Sequence, residues 1–182
     1  MHCHEPWQTL ILASTCAFTI SSFRCSLSVL YRGTGSVRAT LVGQDGRILA
    51  NSTHPTTTFR DKSDHRIFEQ STTEVWKGIA ASVRACLTEA KVNPSAVKGL
   101  GFDATCSLAV CDDRGEPITI TKGENIGKQG ERNIILWADH RAEAEAELIN
   151  ASGSIVLNYV GGTMSVSPTV VLFMSWVNVC HS

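Results

Sequence analysis

An excess of charge of either sign is missing from this chain. Sixteen basic and 17 acidic residues leave a formal net charge of −1 over 182 residues. Nucleic-acid proteins usually show a basic face, and membrane-surface binders a polybasic run; neither is here. Cysteine is present seven times, but no two stand as C-x-x-C and no histidine follows a cysteine pair at zinc-finger spacing. Zinc-finger and thioredoxin-type readings therefore have little support, and buried thiols in a reducing, cytoplasmic setting are the simplest reading. Five prolines and 14 glycines are ordinary numbers, which excludes collagen-like and linker-like chains. Apolar residues make up 43%, too many for a disordered chain. The length is enough for about one domain with a real core.

Long hydrophobic runs are also scarce. Thr9 to Phe23 is uncharged and closed by Arg24, but it falls short of the ~20 residues of a spanning helix. Its flank, Met1–Gln8, lacks the basic start of a signal peptide. Thr169–Cys180 is apolar and again too short to span. Neither run keeps a helical or strand period. Asn51 and Asn150 match the glycosylation sequon, which matters only in a secreted chain.

The middle of the chain is better organised. Ser26–Tyr31 reads as a strand, Gly33–Ser36 as a turn, and Val37–Val42 as a second strand. Gln44-Asp45-Gly46-Arg47 then reads as a hairpin turn of type I′, and Ile48–Ser52 as a third strand. Pro55–Phe68 reads as a polar loop. Ser71-Thr72-Thr73-Glu74 fits a capping box, followed by an apolar helical face of Val75, Ile79, Val83 and Leu87 that should end near Lys91. Strands are expected at Val97–Phe102, Ser107–Cys111, Pro117–Ile120 and Asn133–Trp137, and a helix at His140–Asn150 capped by Asp139. This order is an α/β or α+β domain whose sheet opens with a β-meander.

Three places could carry chemistry. In Gly33-Thr34-Gly35-Ser36-Val37-Arg38, a tight turn with hydroxyls can point backbone N–H groups at an anion; the alternative is an ordinary hairpin turn with an exposed arginine. It is neither a Walker A loop nor a dinucleotide-binding fingerprint. In Gly101-Phe102-Asp103-Ala104-Thr105-Cys106-Ser107, polar groups sit at a strand end, where ligands of α/β sheets gather; the alternative is a turn capped by Asp103. In Trp137-Ala138-Asp139-His140-Arg141, an indole can pack on a sugar ring while Asp and Arg bind hydroxyls; the alternative is a helix start with Trp137 in the core. Cys106 and Cys111 read as inert thiols.

Taken in order, these motifs resemble the FGGY carbohydrate kinases, and within them the ribulokinase-like branch thought to phosphorylate D-ribulose. The resemblance rests on Gly33–Ala39, Glu69-Gln70-Ser71 with Trp76, Gly99–Ser107, Trp137–Arg141 and Tyr159-Val160-Gly161-Gly162, and covers about Gly33 to Ser165. It implies a partial RNase H-like (actin/hexokinase/Hsp70-type) domain over residues 26–166. Residues 1–25 and 167–182 then stand as non-family segments. It also implies transfer of the ATP γ-phosphoryl group, with Mg²⁺, to a pentulose hydroxyl. Gly33, Thr34, Gly35 and Ser36 would face the ATP phosphates, and Asp103, Trp137 and Asp139 would help line the sugar site. The expected partners are a small sugar, a second copy or a full-length kinase, and neither nucleic acid nor membrane.

One departure stands out. The family opens its phosphate loop with Asp in D-x-G-T, and here that position is Tyr31. A phenol does not replace a carboxylate that organises Mg²⁺ and its waters. The resemblance also places the catalytic Asp base and the nucleotide domain beyond this chain. The expectation is a chain that does not phosphorylate sugar by itself, or a catalytically inactive binding or decoy form.

Overall fold

The computed structural model describes residues 25–31 and 35–165. The turn residues Gly33 and Thr34, and the apolar runs Thr9–Phe23 and Thr169–Cys180, lie outside the described residues. Two compact units divide the chain.

The first unit takes the described residues from 25 to 58 together with Gln70–Thr105. Its strands β1 (Cys25–Tyr31), β2 (Ser36–Gly43) and β3 (Ile48–Pro55) form an antiparallel meander. The β2–β3 turn differs in type from the I′ expectation. Only Gly46 has positive φ, at 80°, whereas type I′ needs it at both central residues. Gly46 N–H donates to Gly43 O at 3.0 Å and Gly43 N–H to Arg47 O at 2.8 Å. This is the three-residue loop closed by one left-handed glycine.

Helix α1 (Thr72–Ala90) follows, and β6 (Gly99–Asp103) returns parallel to β1, giving the order β3-β2-β1-β6. A parallel return needs such a crossover. Ser71 caps α1 as expected, its Oγ accepting from Glu74 N–H at 3.2 Å. The Glu74 carboxylate also accepts from Thr57 N–H (3.0 Å) and Thr57 Oγ1 (2.8 Å), tying the start of the helix to the chain after β3. The helix stops at Lys91, in the left-handed region with φ 53°.

The buried stripe of α1 is Gly78, Ser82 and Cys86, flanked by the larger residues expected to be its centre. Small side chains let the helix approach the sheet closely. A Cβ at Gly78 would meet His54 Cδ2 at 3.1 Å and Val37 Cγ2 at 3.4 Å. Below this contact Ala39, Leu41, Ala50 and Cys86 form a core, with Val83, Leu87, Ala90, Val92 and Val97 packed on it. The Cys86 thiol donates to Ala39 O, and burial pushes its pKa up. It is a packing group rather than a nucleophile.

The second unit takes Phe59–Glu69 and residues 106–165. Its strands are short: β4 (Phe59–Arg60), β5 (Phe68–Gln70, all but the last residue), β7 (Leu108–Ala109) and β8 (Ile134–Ile135), in the order β4-β5-β8-β7. The supposed loop Pro55–Phe68 thus contains β4, which is too short to show alternation. Pro117–Ile120 makes only isolated bridges, Cys111 with Pro117 and Ile118 with Gln129. Helix α2 is Glu143–Ala151 and has no side-chain cap at Ala142. It starts later than expected because Asp139 spends its carboxylate elsewhere, as described below. Ala142, Ala146, Leu157 and Met164 make a small core with Ile149.

Candidate functional site

In the first unit the C-terminal ends of β1 and β6 lie side by side, with Leu30 opposite Asp103. Strand ends of a parallel pair are where ligands of α/β sheets bind. Asp103 is exposed there. The chain leaves the same end of β1 at Tyr31 and enters β2 through Gly35 and Ser36. Gly35 is an exposed turn residue whose carbonyl accepts from Thr56 N–H at 3.0 Å. A Cβ built on it would meet nothing within 4 Å among the described residues. Phe102 is 45% exposed and meets Trp76 edge-on, ring centroids 6.0 Å apart.

In the second unit the predicted cluster Trp137-Ala138-Asp139-His140-Arg141 splits by burial. Trp137 is 47% exposed and Asp139 is fully buried. Asp139 Oδ1 accepts from Arg141 N–H and Nε–H, both at 2.9 Å. Its Oδ2 accepts from Phe68 N–H at 2.8 Å and Arg141 Nη2 at 2.7 Å. Four donors therefore occupy this carboxylate, and none of them is a helix cap.

Arg141 reaches further. Its Nη2 donates to Glu69 Oε1 at 2.9 Å and its Nη1 to Ile120 O at 3.2 Å. The Thr121 hydroxyl donates to Glu69 Oε2 at 2.7 Å. One guanidinium thus holds two buried carboxylates, Glu69 and Asp139, in a planar fork that lysine does not reproduce. Burial, the largest influence, pulls the Arg141 pKa down, but hydrogen bonds and charge from Asp139 and then Glu69 outweigh it and raise it. The guanidinium stays charged.

The Trp137 turn is tied on every side. Trp137 N–H donates to Ser107 Oγ at 3.3 Å. Leu136 N–H donates to Phe68 O at 3.1 Å, and Asp139 N–H to Leu136 O at 2.9 Å. The outcome is an aromatic ring presented to solvent from a fixed backbone. Sequence reading named Asp139 and Trp137, but it did not assign Ser107 or Glu69 a structural partner. Glu69 was singled out only as part of the Glu69-Gln70-Ser71 motif, and its strand is too short for periodicity to show that it is buried. Burial pushes the Cys111 thiol up. Among the described residues no group of three or more His, Cys, Asp or Glu is placed to hold a metal ion, and no helix is long and apolar enough to cross a membrane.

Fold and motifs together define a sugar-kinase class of α/β domain. The FGGY family of carbohydrate kinases, N-terminal domain, matches residues 27–179, and the chain belongs to that family. A D-ribulokinase of Saccharomyces cerevisiae is 41% identical over 139 residues, 74% of this chain and 18% of that protein. The human FGGY carbohydrate kinase domain-containing protein is 40% identical over 134 residues, 74% of this chain and 23% of that protein. The chain thus spans between 18% and 23% of the length of these two relatives. Among solved structures, a gluconate kinase from Lactobacillus acidophilus aligns with TM-score 0.62 at 15% identity, over 81% of this chain and 26% of that one. A xylulose kinase from Rhodospirillum rubrum aligns with TM-score 0.55 at 20% identity, over 71% and 23%. These structures carry the actin/hexokinase-like fold expected from the sequence.

Proposed function

We propose that the chain is the sugar-recognising opening portion of a pentulose kinase, with D-ribulose the preferred sugar. The observation that carries this reading is the 41% identity to a D-ribulokinase over 139 residues, 74% of this chain. In this reading Gly33, Thr34, Gly35 and Ser36 face the phosphates of ATP. Backbone N–H groups of a turn with small residues suit that task. Asp103 accepts hydrogen bonds from sugar hydroxyls, and the Trp137 indole packs on the apolar face of the sugar. Asp139 serves the sugar site from beneath, through the turn it holds.

The whole reaction moves the ATP γ-phosphoryl group to a pentulose hydroxyl, where positioning and charge neutralisation supply most of the rate. Mg²⁺ ordinarily supplies much of that neutralisation. The residues described do not fit it: Tyr31 occupies the position of the family's loop carboxylate, and hard cations take carboxylate oxygens. Tyr31 also favours a second reading, a cytoplasmic binding or decoy form that retains sugar affinity without turnover, alone or alongside a full-length kinase.

The test is ATP-dependent phosphorylation of D-ribulose by the 182-residue chain, its Thr34→Ala variant and its Tyr31→Asp variant, with calorimetric titration of D-ribulose, D-xylulose, gluconate and glycerol. D-ribulose binding in preference to the other three supports the proposal. Turnover in the parent above Thr34→Ala makes the chain a kinase in its own right. Binding of none of the four sugars overturns the recognition reading.

A further inference from the structure

The buried network does more than hold the second unit together. We infer that Arg141 and Glu69 are positioning residues for sugar recognition, acting through the Trp137 turn; this rests on the reading of Trp137 as a sugar-stacking residue. Three observations point this way.

First, the fork is spent on separate stretches of chain. Arg141 Nε and Nη2 grip Asp139, Nη2 also grips Glu69 on β5, and Nη1 holds the carbonyl of Ile120. Burying two carboxylates with one guanidinium is seldom the most stabilising way to fill such a space; apolar residues of similar volume are often as good or better. Geometric definition is what the fork adds.

Second, the network closes on the backbone around Trp137. Phe68 N–H donates to Asp139 Oδ2, and Phe68 O accepts from Leu136 N–H. Leu136, just before Trp137, and Asp139, two residues after it, are thus fastened to the same residue of β5, and Trp137 N–H is fastened to Ser107. Third, the ring so fixed is half exposed, at 47%. A core tryptophan would be covered, and an incidental surface tryptophan would not need its backbone fixed from three directions. A rigid aromatic face lowers the ordering cost of binding.

The experiment uses the full chain with Trp7, Trp76 and Trp176 replaced by Phe, so that Trp137 is the sole tryptophan. Time-resolved anisotropy reads its local motion, and its emission reads titration with D-ribulose. In the parent, the indole moves only with the protein. Arg141→Lys keeps the charge and loses the fork; a fast local component then appears, and D-ribulose affinity falls about tenfold, within what displacement of a binding group costs. Glu69→Gln, which keeps an acceptor, gives a smaller shift of the same kind. An Arg141→Lys protein with parental circular dichroism, unchanged anisotropy and unchanged affinity overturns the inference. Should Arg141→Lys fail to fold, Thr121→Val, which removes only the hydroxyl on Glu69 Oε2, decides: a fast component supports the inference and its absence overturns it. A parent that does not respond to D-ribulose overturns the pentulose reading, while the anisotropy comparison still decides the positioning role.

Discussion

The first unit is assembled from long regular elements: strands of 7 and 8 residues and a 19-residue helix enclose Ala39, Leu41, Ala50 and Cys86. The second has strands of two or three residues and a 9-residue helix. There, Glu69, Asp139 and Asn133 are fully buried beside Leu136, and charge-assisted hydrogen bonds fix where the chain goes. Apolar area alone orders a sheet and helix, because burial is non-directional and the period of the pattern sets the face. A turn that must present one ring from one position needs directional bonds.

The strongest challenge to this contrast is Arg141→Met. It leaves two buried carboxylates without their cation and should cost about 3–5 kcal/mol, read as loss of the second unit's denaturant transition while the α1 helical signal persists. Simultaneous loss of both transitions would mean the units are not separately ordered. Leu41→Ala is the counterpart in the first unit, expected to cost about 3 kcal/mol through the cavity left in the core. Its effect should fall on α1 and the meander.

Ser71→Ala removes the cap hydrogen bond to Glu74 N–H and should cost about 1 kcal/mol, seen as fraying of the first turn of α1. Gly78→Ala sharpens the packing side of the comparison. The helix gains about 1 kcal/mol of propensity, but the new methyl group presses on the His54 ring. The single variant should lie near zero, and adding His54→Ala should make Gly78→Ala stabilising in the double-mutant cycle. The smallest effect is one of pH. Hydrogen bonds from the Ser63 side chain and then backbone N–H groups hold Asp61 below the usual carboxylate range. Hydrogen bonds from the Arg66 side chain and then its backbone N–H do the same for Asp64. Depressed folded pKa values mean their contribution is present above the unfolded value near 4 and is lost as pH falls through the folded values. Amide protection in the Asp61–Arg66 turn, taken relative to the intrinsic exchange rate at each pH, should fall as pH drops below about 4, leaving that of α1 unchanged.

What was legible in the sequence follows the same division. The meander, the Ser71 cap, the end of α1 near Lys91 and the strand-end position of Asp103 were readable, since each depends on local chemistry or on a sustained period. The α1 face was read from its large residues, whereas Gly78, Ser82 and Cys86 are the most buried, because small residues mark close approach and hydropathy does not weigh them. In the second unit, β7 and β8 fall inside the apolar segments Ser107–Cys111 and Asn133–Trp137 read as strands, whereas β4 and β5 are too short to leave a period. Asp139 looked like a helix cap, but Arg141 and Phe68 N–H outcompete the helix for its oxygens. Glu69 and Arg141 are 72 residues apart in sequence, and no local pattern couples them.

The central proposal is sugar recognition, read separately at the strand-end residues of the first unit and at the Trp137 turn of the second. Amide hydrogen exchange of the full chain, mapped with and without D-ribulose, tests it most directly. The account predicts added protection at Gly101–Asp103 and at Ser107 and residues 134–141, with the outer face of α1 unchanged. No added protection at either place, or protection confined to α1, would contradict it.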